Sequence, residues 1–151
     1  MKKLLFVATI LLCSISIMAQ NISLTAMKKT WGTTAPTGAT FDTIKTTTPI
    51  YLYTGPITGY KDAVNITAVA TEISGTTSGT VTLQVSDDGI NWAPYQKTSA
   101  DTLTLADVTT AQVFRWKVLN PSDKYYRVVG IGGGTVSVLL TAKYSAALLK
   151  Q

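Results

Sequence analysis

Gly79-Thr80-Val81-Thr82-Leu83-Gln84-Val85-Ser86-Asp87-Asp88-Gly89 is the most regular stretch of this chain. Val81, Leu83 and Val85 alternate with Thr80, Thr82, Gln84 and Ser86. A period of two belongs to a strand with one face buried and one face wet. Asp87-Asp88-Gly89 then closes a hairpin, because Asp tolerates left-handed backbone and Gly takes positive φ freely. Ile90 to Tyr95 reads as the return strand, and Pro94 marks it as an edge.

Working outward, the same pattern recurs. Val64, Ile66, Ala68 and Ala70 alternate with Asn65, Thr67, Val69 and Thr71, followed by a small-residue turn over Ser74 to Gly79. Leu103 and Leu105 make a short alternating piece. Phe114, Trp116 and Val118 point one way in the next strand, and Val113, Arg115, Lys117 and Leu119 the other. Asn120-Pro121-Ser122-Asp123 is a turn, and Tyr125 to Ile131 resumes as a strand. Gly132-Gly133-Gly134 reads as a flexible hairpin turn before Thr135 to Tyr144; no helix start follows it, so it is not a phosphate loop. Toward the N-terminus, Phe41 to Lys45 and Ile50 to Tyr53 are short strand candidates. Strands spaced by about 8–12 residues with turn signals between them predict an all-β, antiparallel β-sandwich, jelly-roll or Ig-like, of about 7–9 strands.

The domain reading follows. Residues 1–19 are a signal peptide or a retained apolar anchor, and residues 20–40 an N-terminal strand and loop. Residues 41–144 are the sandwich, and residues 145–151 a tail. Lys2 and Lys3 precede an apolar run from Leu4, and Ile17-Met18-Ala19 ends it with a small residue at the expected cut. At about 15 residues the run is shorter than the ~20 that a spanning helix needs. Leu12 before Cys13 argues against lipoprotein processing. This predicts an exported protein, with membrane contact only through residues 1–19 if they are retained.

Composition removes whole classes of chemistry. The chain has no His, which excludes imidazole acid–base catalysis, Ser-His triads and imidazole metal sites. The lone cysteine, Cys13, lies in the export segment, so the mature chain has neither a thiol nor a disulfide. Glu72 is the only Glu, and nothing in the spacing pairs the Asp residues for glycoside hydrolysis. The expectation is no enzyme and no cofactor. Cleavage would remove two of the 13 basic residues, and the remainder form no continuous stripe, so nucleic acid is not expected as a partner. The 26 threonines favour strands, and low charge on long strand edges favours self-association or protein partners.

Few residues stand out as a site. Asp87 and Asp88 are adjacent carboxylates in a turn, the chemistry of a Ca²⁺ ligand pair, although a plain hairpin turn explains them as well. Trp92 and Tyr95, with Tyr51, Tyr53 and Tyr60, could build an aromatic platform for sugar rings. Against that, Trp92 and Trp116 are the sizes that plug the core of a small sandwich. Trp31, in a Thr- and Gly-rich loop, is not needed for a core and is a candidate partner contact. Arg127 is expected to pair with an Asp such as Asp123, or to stack on a ring.

The run Ser86-Asp87-Asp88-Gly89-Ile90-Asn91-Trp92 is similar to the hairpin of discoidin-like, galactose-binding-type sandwiches. With Lys124-Tyr125-Tyr126-Arg127-Val128 and Gly133-Gly134-Thr135-Val136-Ser137, the chain also resembles small Thr/Gly-rich β-sandwich proteins of Bacteroidota and their phages, of the virion, decoration or fibre type. An export signal conflicts with assembly inside a cell, which sets exported surface display against virion surface. The resemblance implies a structural or interaction module displayed on a surface; the alternative is a secreted carbohydrate-binding module using Trp31 or Trp92 with Tyr95.

Overall fold

A computed structural model describes residues 23–33, 35–95, 101–134 and 136–147. Residues 1–19, expected to be an export segment, lie outside the described residues. Three short strands come first: β1 (Thr25–Ala26), β2 (Thr30–Trp31) and β3 (Pro36–Thr37). They are followed by β4 (Phe41–Ile44), β5 (Ile50–Tyr53), β6 (Ala63–Gly75), β7 (Gly79–Ser86) and β8 (Ala93–Pro94). Then come β9 (Leu103–Thr104), β10 (Gln112–Leu119), β11 (Tyr125–Gly132) and β12 (Val136–Ala147).

Ten of these strands form two antiparallel five-stranded sheets. Sheet A runs β1-β12-β6-β10, with β4 also on β12; sheet B runs β5-β11-β7-β8, with β9 also on β7. From β4 onward six of the eight connections cross between the sheets, so most sequence neighbours face each other rather than pair. That double-sheet winding is a jelly roll. It is the antiparallel β-sandwich expected from the strand spacing.

The winding corrects one expectation. Gly132-Gly133-Gly134 is not a hairpin turn, because β11 lies in sheet B and β12 in sheet A. The run carries the chain over the sandwich edge, where a Cβ on Gly132 would stand 2.7 Å from the carbonyl oxygen of Thr46. Bare backbone is what lets the strands approach there. β12 runs on to Ala147, into the stretch read as a tail.

Alternation decides which faces meet. Val64, Ile66, Ala68 and Ala70 of β6 point inward, at 1% exposure or less. They meet Val81 and Leu83 of β7 and Tyr126 and Val128 of β11. A Val, Ile or Leu side chain contributes roughly 1.5–3 kcal/mol when fully buried, so the interior alone is a substantial source of stability. Trp116 does plug the core, as expected: it is 2% exposed. Its indole N–H donates to the Asp101 carbonyl at 2.8 Å, so burial leaves no orphan donor.

Candidate functional site

Since the inward faces fill the core, the outward positions of sheet B are free to carry something else. The register aligns Tyr53 of β5, Arg127 of β11 and Gln84 of β7 in one row across the sheet. Tyr51, Val129 and Thr82 form the next row, and Tyr125 lies opposite Ser86 at the other side. Strands at 4.7–4.9 Å spacing bring such neighbours into contact.

Arg127 is the centre of this face. Its guanidinium lies 4.4 Å from the ring centre of Tyr51 and 4.4 Å from that of Trp92, clamped between the two. Its Nε donates to Gln84 Oε1 at 2.7 Å. Among the described residues it makes no salt bridge; the ion pair there joins Lys29 to Asp42 at 2.9 Å. Of the two expectations for Arg127, stacking is the one the geometry realises. A cation between two rings, partly dried by them, is worth about 0.5–2 kcal/mol.

Trp92 is therefore not a core plug, which corrects that expectation. It follows the Asp87-Asp88-Gly89 turn and shares the outward parity of Pro94, which pairs with Gln84. Tyr95, three residues on, has the opposite parity and packs against the core. Trp92 and Tyr95 thus do not form one platform.

Trp31 arrives from outside the sandwich. Lys28 and Tyr53 exchange two backbone hydrogen bonds of 3.0 and 2.8 Å, which moor the β2–β3 hairpin to the edge of sheet B. The Trp31 ring then lies 5.5 Å from Tyr53, 6.1 Å from Trp92 and 5.0 Å from Tyr125. Most of these pairs meet edge to face, at 88° to Trp92 and 89° to Tyr125. Tyr51 and Tyr53 come nearest to lying parallel, tilted by 32°. Trp31 also rests on Gly89, whose φ is +74°; a Cβ there would fall 2.5 Å from Trp31 Cζ2. The glycine serves the turn and the ring at once.

The turn itself is organised by Asp88. Its Oδ1 accepts from the backbone N–H groups of Ile90 and Asn91 at 2.8 and 2.7 Å and from Ser86 Oγ at 2.9 Å. Its Oδ2 accepts from Asn91 Nδ2 at 2.7 Å. These donors, the two backbone amides foremost, hold its carboxyl well below the usual carboxylate range. Asp87 stands beside it, exposed. Among the described residues no group of three or more His, Cys, Asp or Glu is placed to hold a metal ion. What Asp88 does visibly is shape the loop that presents Trp92.

The sequence named Trp31 and Trp92 as candidates and offered ring stacking for Arg127, but it did not join Arg127 to these rings and it missed Gln84. The signal was present: Tyr51-x-Tyr53 and Tyr125-x-Arg127 are outward alternations on strands that prove adjacent.

No family model matches the chain, and no curated protein matches it. Solved structures do. One, described as "CBM4 structure and function", is 16% identical with a TM-score of 0.43, covering 64% of this chain and 61% of its own. Another, a family GH115 4-O-methyl-α-glucuronidase with specificity for decorated arabinogalactans, is 10% identical with a TM-score of 0.35. It covers 73% of this chain, which spans 14% of its length.

Proposed function

We propose that the chain is a non-enzymatic interaction module displayed at a surface, and that its contact surface is the outer face of sheet B around Arg127. The observation that carries this is the gathering of Trp31, Trp92, Tyr51, Tyr53 and Arg127 on the solvent side of a sheet whose other side already fills the core. Such half-exposed rings offer large area at low entropic cost, and their polar tips, with Arg127 and Gln84, offer hydrogen bonds.

Sugar is the partner chemistry this mixture fits best. The apolar face of a pyranose lies on a ring, while its hydroxyls take the N–H groups of an arginine and an amide. Tyr51 and Tyr53, with the smallest tilt of the cluster, are the pair best set to share one ring system.

A glycan microarray tests this with the wild type and the Tyr51→Ala and Trp92→Ala variants. We expect a defined set of retained glycans, and a loss of about tenfold or more in affinity in either variant. A folded wild type that retains no glycan, or variants that bind as well as it does, would overturn the sugar reading.

A further inference from the structure

The opposite side of the molecule has a character of its own. On sheet A, Lys143, Thr67 and Arg115 form one outward row across β12, β6 and β10. Asn65 and Lys117 continue the next, which ends on the buried Ser145. Phe41, Thr141, Val69 and Val113 form a third, beginning on β4. Arg115, Lys117 and Lys143 are exposed, and among the described residues none has an ion-pair or hydrogen-bond partner. None of the outward register positions in these rows holds an Asp or Glu. Strand geometry sets the three cations about 7–12 Å apart.

The rows also contain a depression of about 270 Å³, lined by Leu24, Thr67, Val69, Arg115, Thr141 and Lys143. Its floor is hydroxyl and methyl, and its rim is cationic. We propose that this face of sheet A is a second binding surface, and that it takes an acidic polysaccharide, a polyhydroxylated chain bearing carboxylates or sulfates. Charge complementarity selects an anionic polymer over a neutral one. The surroundings select among anionic polymers. Unpaired nucleic acid needs a succession of ring platforms for its bases, and the three rows offer one ring, Phe41, at their β4 end. Base readout on duplex DNA needs an element that enters a groove, whereas β6, β10 and β12 offer only a sheet face. Threonine hydroxyls and the Asn65 amide between the cations match a chain of hydroxyls. The surface is independent of the aromatic face on sheet B.

The test is retention of the whole chain on immobilised polygalacturonate at low and high salt. The variant is Arg115→Gln/Lys117→Gln/Lys143→Gln, and the control Lys28→Gln/Lys45→Gln/Lys61→Gln removes equal charge elsewhere. Five of the six side chains are exposed and Lys61 is half-buried. We expect salt-sensitive retention that falls at least tenfold in the first variant, holds in the control, and is unaffected by Trp92→Ala. Equal loss in the control would reduce the effect to net charge and overturn the proposal. Stronger binding to a single-stranded oligonucleotide or to phosphatidylserine vesicles than to polygalacturonate would also overturn it.

Discussion

Arg127 has no carboxylate to answer its charge among the described residues, and what holds it is two rings and an amide. The planar guanidinium suits that slot, where an ammonium does not. Arg127→Lys is therefore expected to lower stability by about 1 kcal/mol, read as the shift of a urea midpoint. Asp88 gives a second prediction. Its donors depress its carboxyl in the folded state, so its stabilising effect is complete above the ordinary aspartate value of about 3.9. The effect is lost as the pH falls below that value toward the folded one. Asp88→Asn should remove this part of the acid sensitivity; urea midpoints at pH 7 and near pH 2.5 should then differ less than in the wild type. At this scale the sequence was partly legible. Trp31, Trp92, Asp87 and Asp88 are conspicuous residue types, but Arg127 is conspicuous only beside Tyr51 and Trp92, and both contacts depend on pairing across the fold.

Among the elements, the turn from β7 to β8 and the hairpin of β2 and β3 build the face jointly. Asp88 shapes the turn, Gly89 leaves room for Trp31, and Trp31 closes over Tyr125 and Trp92. The hairpin is moored by the Lys28–Tyr53 bonds and this ring, so Trp31→Ala should loosen it alone. Hydrogen exchange at the amides of Lys29 and Gly32 is expected to speed up severalfold, with the β6 amides unchanged; equal acceleration in β6 would mean that the ring supports the whole sandwich. Alternation along the chain made the two faces of β6, β7 and β10 legible, because a period of two is a local property. It gave no account of which sheet each strand enters. Reading Gly132-Gly133-Gly134 as a hairpin turn, and Trp92 as core, failed for that reason: both depend on the non-local winding.

On the scale of the molecule, a jelly roll spends its inward positions on one core and leaves two outer faces of different chemistry. Sheet B presents rings around an arginine; sheet A presents threonines among exposed cations. The fold class could be read from strand spacing and threonine content, while the division of labour between the faces follows from register. The tryptophans report on it directly: Trp31 and Trp92 lie outside sheet B, and Trp116 lies in the core. The decisive measurement is the set of three indole N–H signals in a ¹H–¹⁵N spectrum, followed during titration with the glycan best retained on the array. The Trp31 and Trp92 signals are expected to shift while Trp116 stays fixed. Binding that leaves Trp31 and Trp92 unmoved would contradict a contact face on sheet B.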